Sequence, residues 1–236
     1  MRYVLASNLS TEGKRILLSK GVEILESPVN DSVSLPIMHH SDLSFLFDGD
    51  STVFLAKEVE DYRIILEKIG LNVRVLPQKL GSKYPEDCKL NCVVTDKFII
   101  CNIDTVSPDV LQYFIRKGKE IIPVKQGYTK CSVVPLCDEA IITDDESICN
   151  SCTAKGIDVL SVTKGSVRLK GFDYGFIGGA SGVIDNNTVA FNGDIKKHSD
   201  DEKITDFLKK YGMSALSLGS GELWDIGSII PLYSEV

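Results

Sequence analysis

Lys117-Gly118-Lys119-Glu120-Ile121-Ile122 closes one amphipathic segment and opens one short apolar run. In the segment before it, Pro108 to Lys117, Ser107 can cap the first turn, Pro108 suits the first helical position, and Val110, Leu111, Phe114 and Ile115 share a face. Gly118 then reads as the left-handed residue that stops a helix and releases a strand. The same junction recurs at Lys20-Gly21-Val22-Glu23-Ile24-Leu25, Ile69-Gly70-Leu71-Asn72-Val73-Arg74-Val75, Lys155-Gly156-Ile157-Asp158-Val159-Leu160 and Tyr211-Gly212-Met213-Ser214-Ala215-Leu216. Before the last of these, Asp200 to Tyr211 carries Ile204, Phe207 and Leu208 at helical spacing. The glycines lie 38 to 56 residues apart, so five units of one order of size fill the chain.

Downstream of each junction a small or polar residue heads a short apolar strand. These heads are Leu43-Ser44-Phe45-Leu46-Phe47, Leu90-Asn91-Cys92-Val93-Val94, Cys131-Ser132-Val133-Val134-Pro135-Leu136, Tyr174-Gly175-Phe176-Ile177 and Gly227-Ser228-Ile229-Ile230-Pro231-Leu232. Small heads are expected where five strands converge in a tight space. Four of them are followed by a turn and a returning strand: Thr52 to Leu55, Phe98 to Cys101, Ala140 to Thr143 and Thr188 to Phe191. The fifth returning strand is supplied from the other end of the chain, by Met1 to Ser7, which precedes the first helix, Thr11 to Lys20. Pairing of that segment with the last strand closes a ring, giving one domain over residues 1–236 with few exposed sheet edges. An open α/β sheet of βαβ units has the same alternation but offers no reason for a split fifth unit.

Composition narrows the function. The 236 residues are 43% hydrophobic and 25% charged, as in a globular protein with a buried core. A net charge of −7 gives no basic face for nucleic acid. No apolar run reaches the roughly 20 residues that cross a bilayer, and the first residues lack the apolar core of a signal peptide, so a cytoplasmic location without membrane contact is expected. Seven cysteines include a single Cys-x-x-Cys, Cys149-Asn150-Ser151-Cys152, and the chain has three histidines. With no second pair, and no third ligand in sequence for His39 and His40, neither a metal nor a cofactor is expected. Reduced thiols fit the cytosol.

Five units closing on themselves resemble the pentein, or guanidino-group-modifying, fold: the five-bladed α/β propeller of arginine deiminases, amidinotransferases and dimethylarginine hydrolases. The blocks Gln126-Gly127-Tyr128-Thr129-Lys130-Cys131-Ser132, Gly175-Phe176-Ile177-Gly178-Gly179-Ala180-Ser181-Gly182 and Trp224-Asp225-Ile226-Gly227-Ser228-Ile229-Ile230-Pro231-Leu232 are similar to those of an uncharacterised bacterial family of that fold. The resemblance implies a Cys nucleophile in the last unit, a His in a His-x-Asp motif and carboxylates that grip a guanidinium. Here Asp225 stands at the last-unit position and no cysteine follows Cys152; the His-x-Asp, His40-Ser41-Asp42, lies in the first unit, and Tyr128-Thr129-Lys130 stands where the motif is expected.

If the strand heads surround one axis, the loops before them gather His40, Asp42, Asp87, Asn91, Lys125, Tyr128, Cys131, Asp173, Tyr174, Trp224 and Asp225 into one mouth. Carboxylates and aromatic faces suit a small cationic ligand of guanidino or amidino type. Two function classes follow. One is a hydrolase or transferase in which Cys131, its pKa lowered by Lys130 and Lys125, is the nucleophile with His40 as base and Asp42 beside it. The other is a non-catalytic pentein that binds a ligand or a protein, with Cys131 a buried small side chain. The loop Gly178-Gly179-Ala180-Ser181-Gly182 lacks a phosphate-loop pattern and reads as a tight turn. His198 reads as a solvated residue at a helix start. The sequence leaves the oligomeric state open.

Overall fold

The structure, a computed structural model, describes residues 2–233. One three-stranded arrangement recurs in five sheets. An inner strand runs antiparallel to a middle strand, which runs parallel to an outer strand reached through a helix. The inner, middle and outer strands are Phe45–Phe47, Thr52–Leu55 and Asn72–Val75 in the first sheet, and Val93–Val94, Phe98–Cys101 and Glu120–Pro123 in the second. They are Val133–Cys137, Ala140–Thr143 and Asp158–Ser161 in the third, and Ser181–Asp185, Thr188–Phe191 and Ser214–Ser217 in the fourth. In the fifth, Ile230–Tyr233 pairs with Arg2–Ala6, which pairs with Val22–Glu26. The sheet expected to join the two ends of the chain is therefore present, with Arg2 opposite Tyr233 and Leu5 opposite Ile230.

All five junction glycines, Gly21, Gly70, Gly118, Gly156 and Gly212, have φ between +70° and +88°, the left-handed conformation that ends a helix at low cost. The helix Pro108–Arg116 buries Val110 and Phe114 but leaves Ile115 about half exposed, a narrower apolar face than its sequence implies. Ser107 occupies its N-cap without a side-chain capping bond. Asp201–Lys210 buries Ile204 and Leu208. Among the described residues no helix is long and apolar enough to cross a membrane.

The fourth inner strand departs from the sequence reading. Tyr174-Gly175-Phe176-Ile177 is not a strand; the inner strand is Ser181–Asp185, paired across the Asn186-Asn187 turn with Thr188–Phe191. The Gly175 N–H donates to the Val167 carbonyl at 2.8 Å and the Phe176 N–H to Asp225 Oδ2 at 3.0 Å, so this backbone is committed elsewhere.

The turns that lead into the five inner strands are tied in a cycle. Asn91 Nδ2 donates to the Asp42 carbonyl (3.2 Å) and the Lys130 N–H to Asn91 Oδ1 (2.7 Å). The Gly179 N–H donates to the Cys131 carbonyl (2.7 Å), the Ser228 N–H to the Gly179 carbonyl (2.8 Å), and the Asp42 N–H to the Gly227 carbonyl (3.1 Å), which returns to the start. Beyond the cycle, Phe47, Val94, Leu136, Val183 and Pro231, one residue from each inner strand, line a cavity of about 410 Å³. The crowding at the cycle is severe: a Cβ on Gly182 would stand 1.9 Å from the Ile229 carbonyl oxygen, and one on Gly227 2.2 Å from the His40 Cα.

Two outcomes test this architecture. Because Arg2–Ala6 is a middle strand with a partner on each side, removing residues 1–7 is expected to cost about 5 kcal/mol or more, close to a typical folding margin; an unchanged melting temperature contradicts it. Asp144 is buried, and its Oδ1 has no partner. Burial pushes its carboxyl up to about 7, opposed by Lys164. The folded state thus favours the protonated acid, and the associated stability is full below pH about 4 and lost as the pH rises through about 7. At about 1.4 kcal/mol per pH unit the fall is on the order of a few kcal/mol, and Asp144→Asn is expected to flatten it in urea titrations across that window.

Candidate functional site

Each side chain of the site sits on one of the lead-in turns. The helical turn Ser41–Ser44 carries Asp42 and is preceded by His40; the turn Thr129–Ser132 carries Lys130 and Cys131 and is preceded by Tyr128. Asn91 precedes the second inner strand, and Asp225 and Ser228 the fifth. These turns converge, so residues far apart in sequence meet. Asp42 Oδ2 accepts the Ser228 hydroxyl at 2.6 Å and the Cys131 thiol at 3.0 Å. Asn91 bridges the same group: its Nδ2 lies 3.3 Å from Cys131 Sγ, and its Oδ1 accepts the Lys130 N–H. Lys130 Nζ donates to Ser228 Oγ at 3.2 Å.

Asp225 is buried beside this cluster. Its Oδ1 accepts the Gly227 N–H at 2.9 Å and lies 3.7 Å from His40 Nε2, while Oδ2 accepts the Phe176 N–H. Above lies a cavity of about 250 Å³ lined by Ile37, His40, Tyr128, Cys131, Leu169, Phe172, Asp173, Tyr174, Phe176 and Asp225. Tyr128 donates its hydroxyl to Asp87 Oδ2 at 2.9 Å, and Asp87 Oδ1 also accepts the Cys88 thiol, so Asp87 supports the wall from behind.

Of the residues read from sequence, His40, Tyr128, Cys131, Asp173, Tyr174 and Asp225 line this one cavity, and Asp42, Asn91 and Asp87 contact its lining. Trp224 is about half exposed in an adjoining groove with His39, His40 and Gly219 to Glu222. Lys125 is exposed and lines a separate depression with Asn102 and Glu146. His198 is buried rather than solvated: its Nδ1 accepts the Asp200 N–H at 3.0 Å. Sequence reading missed Ile37, Leu169, Phe172 and Phe176 as lining residues. The apolar Phe172 between Gly171 and Asp173, about half exposed in the fold, was the available signal.

The electrostatics of Cys131 run against the activated-thiol expectation. Burial, then the neighbouring carboxylates of Asp42 and Asp225, push the thiol well up from its ordinary value. Lys125 is too far away to help, and Lys130 turns its ammonium to Ser228. Burial pushes Asp225 up and Lys130 down. A protonated Cys131 that donates to Asp42 is the state this geometry favours.

Solved structures extend these observations. DDAH from Pseudomonas aeruginosa, in complex with citrulline, matches with a TM-score of 0.61 at 8% identity, covering 98% of each chain. C. jejuni agmatine deiminase with bound substrate matches with a TM-score of 0.55 at 12% identity, covering 98% of this chain and 93% of that one. The amidinotransferase SxtG of Microseira wollei, from the saxitoxin biosynthetic pathway, matches with a TM-score of 0.56 at 14% identity over 86% of this chain and 72% of that one. No curated protein matches in sequence. The α/β fold of this chain is the one these neighbours share, the pentein fold. Residues 4–230 match the Family of unknown function (DUF6873), and the chain belongs to that family.

The state of the thiols is open to measurement. At pH 6.5 iodoacetamide is expected to label exposed Cys137 first and Cys131 no faster than the buried Cys92 and Cys101, as read by peptide mass spectrometry. Preferential labelling of Cys131, slowed by His40→Ala, would instead establish an activated nucleophile.

Proposed function

We propose that this chain is a single five-bladed α/β propeller whose inner strands surround the hydrogen-bonded cycle, and that the cavity on that axis binds a small guanidino or amidino cation without transforming it. The observation that carries the reading is the composition of the cavity wall: the carboxylates of Asp173 and Asp225 among the rings of Tyr128, Phe172, Tyr174 and Phe176. A planar cation gains charge-assisted hydrogen bonds from carboxylates and attraction from ring faces. The neighbours of similar fold include an agmatine deiminase, a dimethylarginine dimethylaminohydrolase and an amidinotransferase, in keeping with that ligand class. Binding rather than catalysis is favoured because the Cys131 thiol is buried and held protonated against Asp42.

A second reading has its own support. His40, Asp42 and Cys131, drawn from two lead-in turns, do meet at the cavity floor, as a hydrolase or amidinotransferase with a relocated nucleophile requires.

Calorimetric titration with agmatine and L-arginine, with neutral citrulline as control, separates these outcomes. Binding of the two cations is expected, weakened about thirtyfold or more by Asp225→Asn, since neutralising a buried partner costs about 2 kcal/mol or more, and only modestly by Asp173→Asn at the exposed rim. Cys131→Ser is expected to keep binding. Release of ammonia or urea by the native chain but not by Cys131→Ser would favour the enzyme, and equal heats for citrulline would remove the cation reading.

A further inference from the structure

We propose that His40, Asp42 and Cys131 are the ligands of a zinc site at the floor of the cavity. One donor atom from each of these buried residues lies within 4.8 Å of the other two. The site adjoins the guanidino cavity, whose lining includes His40 and Cys131, but takes no ligand from its aromatic wall.

The ligand chemistry selects the ion. Thiolate, imidazole and carboxylate together suit a borderline-soft divalent cation, and three protein donors beside a cavity leave a fourth position open. Asp42 provides the second observation. Its side chain is 1% exposed, Oδ2 accepts Ser228 and Cys131, and Oδ1 is buried with no hydrogen-bond partner. A buried carboxylate oxygen without a partner is costly, and a cation removes that cost.

The surroundings match those of a metal centre. Asp225 Oδ1 lies 3.7 Å from His40 Nε2, so a carboxylate stands beside the imidazole, as it commonly does at metal centres. Ser228 Oγ positions Asp42, and Asn91 Nδ2 donates toward Cys131 Sγ. On binding, the Cys131 S–H bond breaks, the proton leaves to solvent, and the sulfur electron pair forms the bond to zinc; the thiol hydrogen bond to Asp42 is exchanged for coordination of both groups by one ion.

The test uses the full chain and metal alone. After dialysis against zinc sulfate, elemental analysis is expected to find about one zinc per chain, with a raised melting temperature. Cobalt(II) is expected to give the thiolate charge-transfer and intense visible bands of a tetrahedral site. Cys131→Ser should abolish the charge-transfer band, and His40→Gln and Asp42→Asn should each weaken zinc binding about tenfold or more. A double Cys137→Ser, Cys149→Ser variant, which removes the accessible thiols, should keep both signals. If Cys131→Ser does not fold, His40→Gln, with every thiol intact and its fold verified by circular dichroism, decides the question. Zinc that does not bind, or bands that survive Cys131→Ser or disappear with Cys137 and Cys149, overturn the proposal.

Discussion

Five stretches of backbone have to pass through one small region, and the polar groups they bring must find partners there without water. The cycle through Asp42, Asn91, Lys130, Cys131, Gly179, Gly227 and Ser228 meets that requirement. Four of its five links are donated by backbone N–H groups; the fifth is donated by the Asn91 side chain. Each such bond nets about 1 kcal/mol, but leaving any of these groups unpaired in the interior costs more, so the cycle is held closed by the penalty for opening it. It also dictates residue size. Gly179 and Gly182 lie where a Cβ would strike Asp225 and Ile229, and Ser228 adopts φ of +70°, a conformation few residues with a side chain take.

The site is a by-product of this convergence. A side chain on a lead-in turn points into the middle or up toward the cavity, so Asp42, Cys131 and Ser228 are pressed together although they belong to three different sheets. Water is excluded by the same crowding, which is why Cys131 and Asp225 both favour their protonated forms more than they would in solution. A chain that wished merely to close its core would not place a carboxylate, a thiol and an imidazole here; leucines would pack at lower cost.

What could be read beforehand follows from range. The junction glycines and the strands Thr52–Leu55, Phe98–Cys101 and Thr188–Phe191 are local features, set by φ preference and by alternation, and they stand where the sequence placed them. His40, Tyr128, Cys131 and Asp225 gather because each lies in a turn that leads into an inner strand, whereas Asp173 and Tyr174 line the same cavity although no inner strand begins at them. Misreading came where a side chain far away in sequence intervenes. Tyr174 to Ile177 has strand-forming residues, but Asp225 takes the Phe176 N–H and prevents a ladder. The thiol chemistry of Cys131 was misjudged for the same reason: Lys130 and Lys125 are near in sequence, whereas Asp42 and Asp225 are near in space.

The sheet made from Arg2–Ala6 and Ile230–Tyr233 also orders events in time. As the chain emerges from the ribosome, Arg2–Ala6 can pair early with Val22–Glu26, yet its other side stays open until Ile230–Tyr233 has been synthesised. The other four three-stranded sheets are each assembled from strands consecutive in sequence. The molecule is thus built of locally folding modules and one clasp between strands far apart in sequence, and until Ile230–Tyr233 has been synthesised the Arg2–Ala6 edge is a template to which a second nascent chain can bind.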